Sequence, residues 1–401
     1  MTSGGVHAIR AARCFDGTGA MPLRDVQVVI DGTTIVDVGP VAELASDVPV
    51  LDLGDVTLLP GLVDAHTHLT WNAQADAVAR VTGDSTESLL QQARASATAA
   101  LRVGITTVRD LGDRDYVTLR LREDTRNDPH AGPHVVTSGP PVTTRNGHCG
   151  FLGGEAETDD ELRRAVADRV ERGVDVIKVM ATGGNMTPGC RPPEESQYEL
   201  GQLRVLADAA HSAGTPITAH AHGAVGALDA VAAGFDAIEH GGFWTATGAE
   251  ISPEDVELIA GRGTHVVATP AARGLPDLSA MPPGVAKRRA EMLQVFAALL
   301  AGGVRVVYAS DAGIAPIKPH DALAHSLPAA IADGWTPLQV LLAMTWDAAA
   351  ACGLGDAKGR IAAGFDADLL AVHGDPLTDP AALSATRAVF RLGTLVHDAT
   401  A

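Results

Sequence analysis

Between residues 58 and 310 the chain repeats one unit. An apolar, β-branched run ends in polar or glycine-rich residues, and an amphipathic Ala-rich stretch follows. Eight runs read as strands: 58–66, 104–110, 133–138, 174–180, 215–220, 235–240, 264–269 and 304–310. Helical periodicity fills the gaps, as in TESLLQQARASATAALRVG and TDDELRRAVADRVERG. In the second, Thr158 stands three residues before Glu161, a capping-box spacing, and the pattern stops at Gly173. Eight strands alternating with helices predict an α/β protein built as a (β/α)8 TIM barrel. A further helical stretch over 336–352 returns the chain from it.

The chain ends have a different texture. Residues 6–58 hold short alternating runs, broken at Asp31-Gly32 by a hairpin signal. GRIAAGFDADLLAVHG and ATRAVFRLGTLVHD repeat that texture near the C-terminus. One small β-sandwich made from both ends is expected, with residues 1–57 and 358–401 flanking a barrel of 58–357. The Pro- and Gly-rich stretches 139–154, 183–193 and 271–284 follow predicted strands, where βα loops wall a substrate site.

Composition narrows the chemistry. The 401 residues are 46% hydrophobic but only 3% aromatic, so the core rests on Ala, Val, Leu and Ile. With 49 acidic and 30 basic residues the net charge is −19, which argues against nucleic acid and anionic membranes as partners. Cys14, Cys149, Cys190 and Cys352 form no CxxC pair, so a disulfide framework or thiolate zinc is not expected. The N-terminal stretch has no apolar signal region, and no run of 18 apolar residues appears. A cytoplasmic location follows as the expectation.

Histidines cluster at predicted strand ends. LLPGLVDAHTHL puts His66 and His68 two apart, on one side of a strand, where both imidazoles can grip one cation. PITAHAHG places His220 and His222 at the fifth strand tip, DAIEHGG places His240 at the sixth, and VVYASDAG places Asp311 at the eighth. Lys178 lies inside the apolar strand VDVIKVMATGG, where a charge is costly to bury. It could snorkel, pair with an acid such as Asp110, or lose its proton and take up carbon dioxide as a metal-bridging carbamate.

In this order the motifs resemble those of the amidohydrolase superfamily, in the branch of imidazolonepropionase-like proteins and Xaa-Pro, Xaa-Arg and Xaa-Lys dipeptidases. PGLVDAHTHL, IKVMATGG, TAHAHG, AIEHGG and SDAG carry the resemblance, and FDGTG, GTTIVDVG and GRIAAGFDADLLAVHGDPL extend it to both ends. The resemblance implies that His66, His68 and Asp311 bind one metal, that His220 and His240 bind a second, and that carbamylated Lys178 bridges them. His220 matches the ligand position better than His222. Two divalent ions are implied, with donors that suit zinc, or manganese, cobalt or iron. A hydroxide bridging them would attack a small amide, such as a dipeptide or N-acyl amino acid, with Asp311 as general base and then acid. Relatives of this kind are often homo-oligomers.

Other residues are weaker candidates. His148 and His222 could donate to the substrate carbonyl or oxyanion. Arg145 or Arg191 could meet a substrate carboxylate, and Tyr198 and Trp244 could wall the pocket. Asp64 and Asp110 are expected to orient imidazoles. Two alternatives stay open: ring opening of a cyclic amide or deamination at one metal, and a binding barrel without turnover.

Overall fold

The computed structural model describes residues 5–20, 22–274 and 283–400, so part of the expected 271–284 loop lies outside the described residues. The chain folds as a mixed α/β protein. Its strands are β1 (His7–Cys14), β2 (Leu23–Asp31), β3 (Thr34–Pro40), β4 (Val50–Asp52), β5 (Val56–Pro60), β6 (Leu62–Thr67), β7 (Ile105–Asp110) and β8 (His134–Thr137). They continue as β9 (Ile177–Met180), β10 (Ile217–Gly223), β11 (Ala237–Trp244), β12 (His265–Ala268), β13 (Val306–Tyr308), β14 (Leu369–His373), β15 (Thr386–Arg391) and β16 (Thr394–Asp398).

Both chain ends join in one sheet, ordered β16-β15-β14-β5-β1-β2-β3, with β4 on β1. It encloses its own apolar core, in which Ile9, Val28, Ile30, Leu58, Leu369 and Phe390 meet. The Asp31-Gly32 signal is the β2–β3 turn, where Asp31 pairs with Thr34 and Gly32 takes φ +58°. Between these ends run eight parallel strands, as β6-β7-β8 and β9 through β13 in sequence order. Their edges meet twice. The Asp311 and His68 amides donate to His66 and Ala312 carbonyls at 2.8 and 2.9 Å, and the Asp175 amide donates to the Thr137 carbonyl at 2.9 Å.

Alternation along these strands sorts their side chains. Ile177, Val179, Ile217, Ala219, Ile238 and Tyr308 pack outward on helix residues such as Leu203, Leu206 and Ala227. Val63, Ala65, Ala237, Val267, Val307 and Ala309 form a separate inner cluster. The helix Asp159–Arg172 has the expected Thr158–Glu161 capping box and ends at Gly173 in the left-handed region.

Two expected elements are divided. The strand read over 58–66 is β5 in the end sheet followed by β6 in the parallel set. Gly61 separates them; a side chain there would collide with Thr106, and its N–H donates to the Asp368 carbonyl at 2.8 Å. The helix read over 336–352 is Pro337–Ala343 and Trp346–Ala351, parted at Thr345, whose φ of −124° and ψ of −97° are not helical. Among the described residues no helix is long and apolar enough to cross a membrane.

A buried ion pair ties the return segment to the end sheet. Lys358 Nζ lies 2.6 Å from Asp368 and 2.7 Å from Asp366. Burial works against both the ammonium and the Asp368 carboxylate, yet their attraction outweighs it, raising the lysine's pKa and lowering the aspartate's. Lys358→Ala should lower the unfolding free energy by about 3–5 kcal/mol, as expected when one partner leaves a buried pair. Asp368 titrates lower folded than unfolded, so its contribution is present above the ordinary carboxylate range and is lost as the pH falls. Denaturant titrations at neutral and acidic pH would check both; the variant should lose less stability on acidification than the parent.

Candidate metal centre

Strand geometry explains how the histidines converge. On β10, Thr218, His220 and His222 alternate with outward Ile217, Ala219 and Ala221. Lys178 likewise sits between outward Ile177 and Val179. Alternation alone would send His240 to the outward face of Ile238, but its φ of +68° turns the chain. Asp311 follows inward Ala309 and also holds a left-handed φ, +59°. On β6 the register against β7 slips between Asp64 and Thr67, a bulge that re-aims the strand end beyond Ala65. His66 and His68 then face one cavity.

That cavity, of about 120 Å³, is lined by His66, His68, His148, Lys178, His220, His222, His240 and Asp311, with Trp71, Leu152, Met180 and Ile314 as apolar walls. Two sets of ligand atoms gather there, each within 4.8 Å: His66, His68 and Asp311, and His220, His222 and His240. His68 Nε2 and His66 Nε2 lie 3.2 and 3.5 Å from Asp311 Oδ1. Burial holds His66 and His148 down to about 4 and His222 to about 3, and pushes His220 and His240 well below the ordinary imidazole value. These five rings are therefore neutral at pH 7, the form that offers a lone pair to a metal. For Asp311 burial favours the neutral acid, but the His68 hydrogen bond, His66 and Lys318 reverse this and keep it ionised.

The tautomers follow from the acceptors. Glu239 is wholly buried and accepts from His66 Nδ1 at 2.7 Å, leaving Nε2 facing Asp311. His220 Nε2 faces the Gly183 carbonyl at 3.1 Å and must donate, so its Nδ1 holds the lone pair. Glu239 also accepts from Arg109 Nη2 at 2.7 Å and Thr218 Oγ1 at 2.5 Å. Burial pushes the Glu239 carboxyl up, but Arg109, His66 and Lys178 more than offset this and bring it to about 2. Lys178 is also buried, and its amine has no hydrogen-bond partner among the described residues. Desolvation brings it down to about 8 despite Glu239 and Asp311 nearby.

The remaining predicted residues divide. His148 lines the cavity with Nδ1 unpartnered. Trp244 stacks on His222 with centroids 4.3 Å and planes 14° apart. Arg145 and Arg191 line a different cleft; Arg145 pairs with Glu157 and Glu161, and Arg191 donates to the Ser196 carbonyl. Tyr198 is buried with its hydroxyl on the Ala156 carbonyl. Lys178 does not pair with Asp110, whose carboxylate accepts from the Leu69 and Gly112 amides. Asp64 accepts from Ser310. Neither aspartate hydrogen-bonds an imidazole among the described residues; the carboxylate that orients His66 is Glu239. Sequence reading passed over Glu239, although it directly precedes His240 and shares the inward face of Ala237. It also passed over Lys318, whose amine donates to the Thr269 and Ser310 carbonyls at 2.8 and 2.6 Å and ties the ends of the last two parallel strands.

Residues 57–396 match the model of the Amidohydrolase family. Ochratoxinase of Aspergillus niger is 27% identical over 427 aligned positions, which span 93% of this chain and 82% of that protein. A solved Xaa-Pro dipeptidase with methionine bound in its active site has a TM-score of 0.83 and 26% identity, covering 98% of this chain and 100% of its own. Imidazolonepropionase of Paraburkholderia phymatum is 38% identical over 84 residues, 20% of this chain and 21% of that protein. The chain belongs to the amidohydrolase family. It is a hydrolase acting on carbon–nitrogen amide bonds, in keeping with the resemblance carried by its strand-end motifs.

Glu239→Gln should have two effects. It leaves Arg109 buried without its counter-charge, costing about 3–5 kcal/mol. It also removes the acceptor that fixes His66, which should weaken metal binding by roughly 10–100-fold. Denaturant unfolding and a zinc titration would read the two effects separately.

Proposed function

We propose that the protein hydrolyses the C–N bond of a small amide, such as a dipeptide, an N-acyl amino acid or a related compound, at a centre of two divalent metals. One observation carries this reading: two triads of imidazole and carboxylate donors share a cavity with a buried lysine that has no hydrogen-bond partner among the described residues. The donors fit the ions, since nitrogen and carboxylate oxygen suit zinc, manganese, cobalt or iron. His66, His68 and Asp311 would hold one ion, and His220 and His240 the other. His222 also stands in the second triad and serves either that ion or the substrate. Lys178, deprotonated and carboxylated by carbon dioxide, would hold both ions, in keeping with a buried amine that has no hydrogen-bond partner among the described residues and whose proton is disfavoured by burial and by nearby Arg109. When bound, the metals supply a water nucleophile at neutral pH and polarise the amide carbonyl.

The chain's own groups handle protons and position. Asp311 is ionised, and its Oδ2 makes no hydrogen bond among the described residues, so it can accept the proton of the attacking water. It then passes that proton to the departing amine. His148, with a free ring nitrogen, donates to the carbonyl oxygen as charge builds there. Trp71, Leu152 and Ile314 keep bulk water from the reacting atoms.

This reading carries a domain plan: an end domain folded as a β-sandwich beside a closed (β/α)8 barrel. The boundary expected at 57/58 moves to Gly61 because β5 belongs to the end sheet, so that the end domain takes 1–60 and 358–401 and the barrel 61–357. Hydrogen bonds at both edges of the parallel strands support closure. Four free cysteines, three of them buried, suit a reducing cytoplasm.

Elemental analysis of the purified protein should give close to two metals per chain; one metal with unmodified Lys178 would refute the binuclear centre. Lys178→Ala should lower the metal count and abolish most activity, with partial recovery in short carboxylic acids. Asp311→Asn should keep the fold but lower kcat by about 10²–10⁴, the range for lost acid–base catalysis. A circular-dichroism melt and steady-state rates on a dipeptide and N-acyl amino acid panel would check it.

A further inference from the structure

Beside the metal cavity lies a larger one of about 590 Å³. Trp244, Val285 and Met292 give it apolar walls, and Asn185 and Pro193 close it from the loop after β9. Asn185 lines both cavities, and Trp244 stacks on His222 of the first, so the two spaces adjoin. At about 120 Å³ the metal cavity has room for an amide and its nearest atoms. The rest of a substrate must extend beyond it.

Arg288 is the informative residue there. It stands on the helix Pro283–Ala301, and its guanidinium carbon lies 4.9 Å from the centre of the Trp244 ring. Its basic neighbours are neutralised: Lys287 pairs with Glu291 at 3.1 Å, and Arg289 pairs with Asp333 at 2.6 Å. Among the described residues Arg288 has no carboxylate at ion-pair distance. Among the described residues a chain of net charge −19 thus presents a guanidinium without an ion-pair partner in a cavity next to its reaction centre, with the already paired Glu291 carboxylate near enough to be stabilised by it. A guanidinium held over an indole face keeps N–H groups available to a planar anion.

We propose that this cavity is a substrate subsite for a carboxylate joined to an apolar or aromatic group. The carboxylate pairs with Arg288, and the apolar group lies against Trp244, Val285 and Met292. The substrate is then an amide whose part outside the metal cavity carries a negative charge. The inference rests on the amide-hydrolase reading for the bond that is cut, and not on the number of metals.

Calorimetric titration with two non-hydrolysable probes tests it: 3-phenylpropionate, which has the charge and the ring, and 3-phenylpropan-1-ol, which has the ring alone. Protein as purified is used, and its metal content is measured on the same sample. The carboxylate should bind at least about tenfold more tightly than the alcohol, the gap for one charge-assisted contact. Arg288→Gln should erase the gap and leave the alcohol's affinity unchanged. Trp244→Leu should weaken both probes. Thermal melts of both variants verify that they fold. A gap that survives Arg288→Gln, or wild-type protein that binds neither probe, overturns the subsite. A sample without metal overturns the binuclear centre instead and leaves the probe comparison readable.

Discussion

The contact between Glu239 and its three donors underlies the reaction centre. Glu239 has no solvent exposure, so its charge must be met inside the protein. Arg109 supplies the counter-charge and also donates to the Ala65 and Ala351 carbonyls at 2.7 and 2.9 Å. That one guanidinium joins β6, β11 and the helix Trp346–Ala351. On the other side Glu239 sets which nitrogen of His66 carries its proton. A single buried anion thereby couples the floor of the parallel strands to the orientation of an imidazole in the candidate metal centre.

The same anion shapes the environment of Lys178. Two buried cations, Arg109 and Lys178, stand near one buried glutamate, and only Arg109 makes a hydrogen bond to it. The lysine is left without a partner and its proton is loosely held. A buried amine of this kind is costly unless it loses its charge or becomes a ligand. Its setting therefore agrees with a centre that is completed by bound ions.

The parallel strands and most of the histidine cluster were legible in the chain. His220 and His222 could be read from simple alternation, because β10 keeps its register with β11 through Ala221. His66, His240 and Asp311 could be read only as strand-end residues. A bulge and two left-handed backbones decide their direction, and no apolar pattern encodes these. Arg145, Arg191 and Tyr198 were plausible from loop position, but local partners claim their polar groups. Glu239 went unread because an acid inside a strand looks like any other until Arg109 and His66 are seen around it. The division of 58–66 at Gly61 was equally hidden, since only the neighbouring Thr106 explains the glycine.

The sequence by itself determined the alternation of strands and helices, the use of both chain ends for one sheet, and the placing of His, Lys and Asp at strand tips. These are properties of local periodicity and turn chemistry, which neighbouring residues carry. Tertiary structure decided which tips share a cavity, which imidazole nitrogen faces it, and which charges are left without an ion-pair partner. Such features depend on contacts between residues far apart in the chain, as between Glu239 and Arg109 or Trp244 and Arg288. No window along the sequence contains both partners, so folding alone brings them together.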